Sequence, residues 1–179
     1  MIFIILLILL TLLLFSMGLS CSQFNNIEDY NKVLPNLYIG NINIANNKKF
    51  IKEKNIKVII NCTGDIPNFF QFTENLEYYR IPVDDSLANE DINQMKLYLP
   101  KFVNIINNSL LQNKPVLVHC YAGRQRSACL IIAFLIYKYN FTLEDAYKFL
   151  LSKRREVFHY GNSYNFHESL LDYSRNLKK

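Results

Sequence analysis

Cysteine is scarce and unevenly placed in this 179-residue chain, which has four: Cys21, Cys62, Cys120 and Cys129. That number and spacing do not make a disulfide framework. With no CxxC pair and only three His, the chain also lacks a zinc-binding pattern, so no metal or cofactor is expected. Charge of one sign is lacking too. Lys and Arg total 20 against 15 Asp and Glu, a formal net charge of +5. This mild excess favours anionic ligands or surfaces but is not the dense basic stripe of a nucleic-acid binder. No internal repeat occurs. Half the residues are hydrophobic, with 12 Tyr and 13 Phe, so most of the chain can bury a core and a disordered chain is excluded.

The first charged residue is Glu28. Residues 1–19 carry no charge and are strongly apolar, and as a helix they would span roughly 28 Å, enough to cross a bilayer core. Three readings stand for residues 1–20. One is a retained transmembrane helix. A second is a cleaved signal, although no Lys or Arg precedes the apolar run. A third begins translation at Met17, leaving Gly18 and Ser22 in a myristoylation pattern with Cys21 as a second acylation site. The first and third lead to a membrane surface. Residues 21–31 are polar and read as a linker.

Beyond the linker, "VLPNLYIGN" reads as a short strand closed by a Gly-Asn turn. Residues 42–54 look helical, and "IKVIIN" (56–61) has the β-branched character of a buried parallel strand. "EYYRIPV" (77–83) is another strand. Residues 91–111 have helical periodicity, which Pro100 should kink or restart. "PVLVH" (115–119) is a second buried strand, and 127–139 a very apolar helix. Thr142 caps a helix reaching Ser152, and a last helix covers about 163–177. Alternating strands and helices indicate an α/β fold with a central, mostly parallel sheet flanked by helices, preceded by the N-terminal hydrophobic helix.

The segment "KPVLVHCYAGRQRSACLIIAFLIY" (114–137) then reads as strand, loop and helix. Gly123 permits a tight loop, in which successive amides converge into an anion nest at the positive end of a helix. That field stabilises a thiolate, so Cys120 is expected to be nucleophilic near neutral pH. Arg126, six positions on, offers a planar fork for two phosphate oxygens. One loop thus combines a nucleophile with a cradle for a tetrahedral dianion. A phosphate ester attacked there needs its leaving oxygen protonated. "IPVDDSLANED" supplies Asp84, Asp85, Glu90 and Asp91 as candidates.

"VHCYAGRQRSA" resembles the HCxxGxxR(S/T) signature of the cysteine-dependent protein tyrosine phosphatases, and the chain as a whole resembles their small dual-specificity members. "VLPNLYIGN" is similar to that family's opening strand, "IKVIINCT" to its central strand, "IPVDDS" to its acid loop and "NFHESLLDYSRNL" to its closing helix. The resemblance covers residues 32–177, which it makes the catalytic domain. It implies that Cys120 forms the thiophosphate intermediate, and that Arg126 and the loop amides of Tyr121, Ala122, Gly123, Arg124, Gln125 and Arg126 bind the phosphoryl group. It further implies Asp85 as general acid and base, Ser127 as donor to the Cys120 thiolate, and His119 as the residue orienting the loop. A phosphorylated protein, on tyrosine or on serine/threonine, is the expected partner, with the catalytic domain in the cytosol and no nucleic acid.

Two departures from the pattern are present. Gln125 stands where Ser is common, which bears on substrate choice, and Ser169 stands where the closing helix often has Gln. Arg124, with the apolar leader, suits a phospholipid or phosphoinositide phosphatase as the alternative, although Tyr121 occupies a position often basic in such enzymes. A phospho-binding pseudophosphatase would need nucleophile, acid or Arg to be missing, and none is. Cys62 reads as a small buried hydrophobe, with a Cys62–Cys120 disulfide as the redox alternative. The sequons at Asn61, Asn107 and Asn140 read as accidental.

Overall fold

A computed structural model describes residues 28–86, 88–158 and 166–177. Among them, β3 (Val58–Asn61) and β5 (Val116–His119) are buried at every position and pair in parallel, as near-continuous apolar runs covered on both faces do. β2 (Leu37–Gly40) flanks β5 and β4 (Glu77–Arg80) flanks β3, both in parallel. β1 (Tyr30–Leu34) adds an antiparallel edge against β2, giving the order β1-β2-β5-β3-β4. The sheet is mostly parallel, as expected.

The two-residue period of the strands divides the core. Val58, Ile60, Val116 and Val118 face the larger side, together with Cys62 and Cys120. Ile59, Leu117 and Tyr38 face the smaller side, under α1 (Ile42–Ala45) and α2 (Lys48–Glu53). The larger side is covered by α3 (Asn89–Leu111), α4 (Arg126–Tyr139), α5 (Leu143–Lys153) and α6 (His167–Leu177). The helix α4 is the hub, with every residue from Arg126 to Ile136 buried. Thr142 caps α5 as expected, its hydroxyl accepting from the Asp145 amide at 3.1 Å.

Several elements differ from the sequence reading. "VLPNLYIGN" holds the end of β1 and the whole of β2, two antiparallel strands, because Asn36 takes a left-handed φ of 62° beside Pro35 and turns the chain. Tyr30 and Asn31, assigned to the linker, open β1. Residues 42–54 form two short helices because Asn41 and Asn47 each cap one with the side-chain oxygen. The strand through 77–83 stops at Arg80. Helix α3 runs through Pro100 without a break; Pro100 is exposed, where water can serve the carbonyl its missing N–H leaves free. The expected N-terminal hydrophobic helix falls on residues outside those described. Among the described residues no helix is long and apolar enough to cross a membrane.

Candidate active site

The loop between β5 and α4 has a consistent polarity. Each carbonyl from Tyr121 to Gln125 is turned away and occupied. Tyr121 O accepts from the Ile42 amide at 3.0 Å, Arg124 O from the Phe158 amide at 3.2 Å and Gln125 O from the Cys129 amide at 2.8 Å. Ala122 O and Gly123 O accept from the Arg154 guanidinium at 3.1 and 2.7 Å. No hydrogen bond among the described residues takes up the amides of Tyr121 through Arg126. Gly123 makes the turn at φ 68°, and a Cβ there would stand 2.6 Å from the Gly40 carbonyl oxygen. Only glycine meets both demands. Gln125 gives α4 no side-chain cap, so the helix end keeps its unsatisfied donors. Amides left without partners along one tight loop at a helix N-terminus suit an anion.

Cys120 immediately precedes this loop, 1% exposed, with its Sγ 3.2 Å from the Ser127 hydroxyl on the first turn of α4. Arg126 is also buried. Its Nη1 donates to Val83 O at 3.2 Å, while its Nε has no hydrogen-bond partner among the described residues. The Nε of Arg124 is likewise buried and unpartnered. Two guanidinium donors therefore remain for an anion in the same loop. The Gln125 side chain is buried with its Oε1 unpaired, an acceptor in a site otherwise built of donors.

The four acidic candidates separate by what they touch. Asp91, in the first turn of α3, accepts from the Asp84 amide at 3.2 Å and from the Ser86 hydroxyl, so it fastens the loop rather than serving chemistry. Glu90 is exposed and accepts from Gln94 along the helix. Asp84 and Asp85 are exposed on the loop after Val83, the residue that Arg126 holds. The Arg126–Val83 bond thus joins the loop between β5 and α4 to the segment that carries Asp85.

His119, at the end of β5, is 1% exposed. Burial pushes its imidazole down from 6.5 to about 4; the Arg80 and Arg126 charges act the same way, against an opposing pull from the Cys120 backbone. The folded protein therefore holds His119 neutral while the unfolded chain protonates it first. Its contribution to stability is present above pH 6.5 and lost as pH falls toward 4, about 3 kcal/mol in all. Urea midpoints measured across pH 7 to 4 should fall for the native chain, and fall less for His119→Asn.

Arg154 escaped the sequence reading, where "SKRRE" looks like the solvated end of a helix. It is 1% exposed, between the exposed Lys153 and Arg155. Cys62 is fully buried, and burial pushes its thiol up, followed by the influence of Cys120. Asn61 pairs with His119 in the sheet register, so Cys62 stands beside Cys120 on the neighbouring strand, and both thiols are free. Ser169 is buried and donates to Ile92 O at 2.7 Å, joining α6 to α3. The Asn61 amide is buried and donates to Ile66 O at 2.8 Å, closed to glycosylation in the fold.

The family model described as dual specificity phosphatase, catalytic domain, matches residues 37–176, and the chain belongs to that family. It is similar to dual specificity protein phosphatase 9 of Homo sapiens, 33% identical over 147 residues that cover 82% of this chain and 36% of the relative. The chain spans about a third of the length of the curated relatives it matches. In structure it is similar to human DUSP28, with a TM-score of 0.73 and 20% identity, covering 85% of this chain and 97% of that one. It is also similar to PTPMT1 in complex with PI(5)P, with a TM-score of 0.70 and 19% identity, covering 84% and 97%. The two structures share its fold.

Proposed function

We propose that this chain is a cysteine-dependent protein phosphatase that hydrolyses phosphotyrosine and phosphoserine/threonine. The observation that carries the reading is the polarity of the loop: five carbonyls bonded outward, the amides of Tyr121–Arg126 left to a tetrahedral dianion, and Cys120 at its base. The Cys120 thiolate attacks phosphorus in line, and the S–P bond forms as the P–O bond to the side-chain oxygen breaks. Asp85 donates its proton to that leaving oxygen. The Arg126 fork and the amides hold the equatorial oxygens as their charge redistributes. Asp85, now a carboxylate, takes a proton from the water that attacks the thiophosphate. The thiolate leaves with a hydrogen bond from Ser127, 3.2 Å away. Inorganic phosphate then departs. His119 positions the loop as a neutral, buried group. The domain responsible is residues 32–177.

The name of the human relative, a dual specificity protein phosphatase, supports a phosphoprotein as substrate. Arg124, with its buried unpaired Nε, favours a second reading in which the substrate is a phosphoinositide or phospholipid, and the structure of PTPMT1 with PI(5)P shares this fold. The apolar composition of residues 1–20 supports attachment to a membrane in either case, and the free thiols of Cys62, Cys120 and Cys129 favour the reducing, cytosolic side for the catalytic domain.

The full chain, in detergent, should be assayed with a phosphotyrosine peptide, a phosphothreonine peptide and dispersed phosphoinositides. Peptide turnover, slowed about 10²-fold by Asp85→Asn, is expected. Turnover confined to lipid transfers the assignment to the second reading, and binding without turnover removes the catalytic one.

A further inference from the structure

We infer that Arg154 is a positioning residue that sets the direction of two loop amides, those of Gly123 and Arg124. The inference rests on the reading of residues 120–126 as a phosphate cradle. A peptide unit is planar and trans, so the carbonyl of one residue and the N–H of the next point in opposite directions. Arg154 Nη2 holds Ala122 O at 3.1 Å and Arg154 Nε holds Gly123 O at 2.7 Å. Drawing those two carbonyls outward turns the Gly123 and Arg124 N–H groups the opposite way. The other three carbonyls of the loop are held by main-chain donors of Ile42, Phe158 and Cys129, which no substitution other than proline deletes. Among the described residues Arg154 is therefore the one side chain that holds carbonyls of this loop. Gly123, at φ 68°, flanks both of these peptide units and has the least steric resistance to reversing them.

The way Arg154 is buried argues that it does more than fill space. Its partners are all neutral: the two loop carbonyls, Glu28 O at 2.9 Å and Asn31 Oδ1 at 2.7 Å, both bonded by Nη1. No carboxylate stands within ion-pair distance of it among the described residues. Glu156, Glu28 and Asp29 lie near enough to feel its charge without touching it. A buried guanidinium with no ion pair in contact is costly, and an aliphatic side chain would fill the volume without that cost. What the guanidinium supplies is a planar fork whose donors meet two carbonyls at once while a third edge is fixed from β1. Lysine has no such fork.

The test uses the full chain with tungstate as the oxyanion, in Arg154→Lys and Asn31→Ala, and in Arg155→Met as an exposed control. Calorimetry gives the affinity, and ¹⁵N-resolved NMR gives the Gly123 and Arg124 amide protons. Those amides should move downfield with tungstate in the native chain. Arg154→Lys should bind roughly 10- to 100-fold more weakly, with the two shifts lost while those of Tyr121 and Arg126 persist. Asn31→Ala, which frees one edge of the fork, should lose roughly threefold, and Arg155→Met nothing. A folded Arg154→Lys that binds within about twofold of the native chain, with both shifts intact, overturns the inference. If Arg154→Lys does not fold, Asn31→Ala decides by the same readouts. Native chain that binds no tungstate overturns the cradle itself, and the inference with it.

Discussion

Cys120→Ser should reduce phosphopeptide turnover by about 10⁴-fold or more, to the background of the assay. The substitution changes one atom, at a side chain 1% exposed, so the fold should survive it. What is lost is the chemistry: a serine hydroxyl is a poor nucleophile without a general base, and residues 121–126 carry none. The amides of the cradle are untouched, so the variant should still bind tungstate or a phosphopeptide. A stable, binding, inactive protein is the expected outcome, checked by pairing steady-state kinetics with calorimetry. Residual turnover near the native rate would place the nucleophile elsewhere.

Arg126→Lys comes next in size, with kcat/KM expected to fall about 10³-fold despite the retained positive charge. Arg126 supplies two things that lysine cannot. Its fork can engage two phosphate oxygens, and its Nη1 bond to Val83 O keeps the segment carrying Asp85 against the loop. Loss of the fork weakens oxyanion binding, and loss of the Val83 bond misplaces the acid. The fall should therefore divide between KM and kcat. The part in kcat should be larger for substrates with poor leaving groups, serine and threonine phosphates above phosphotyrosine. A rise in KM alone, with kcat unchanged and the effect equal for all leaving groups, would remove the link to the acid loop.

The parts of the molecule legible in the sequence are those where chemistry and local pattern coincide. "VIIN" and "VLVH" are buried on both faces, so nothing but a central parallel strand suits them. Gly123 is legible because a positive φ and a backbone contact leave a single residue type. The hairpin at Pro35–Asn36 was hidden because a left-handed Asn carries no local mark that separates it from an edge residue. Asn47 was hidden as a cap because it interrupts an apolar pattern that reads as continuous. Arg154 was the least legible. Lys153, Arg154 and Arg155 are alike in sequence, and only the tertiary fold, which brings 122–123 and 28–31 around the middle one, distinguishes it. The acid showed an intermediate case: the loop offers four carboxylates, the family resemblance points to Asp85, and the Asp91 contacts with Asp84 and Ser86 remove Asp91 from the choice.

The most direct test of the central claim is to trap the covalent intermediate. The full chain would be mixed with a phosphotyrosine peptide, quenched in acid within milliseconds, digested and mapped by mass spectrometry. A phosphoryl group on the peptide containing Cys120, absent from Cys120→Ser and decaying with the rate of phosphate release, is the predicted result. Turnover with no phosphoryl group on Cys120 at any time would contradict the account.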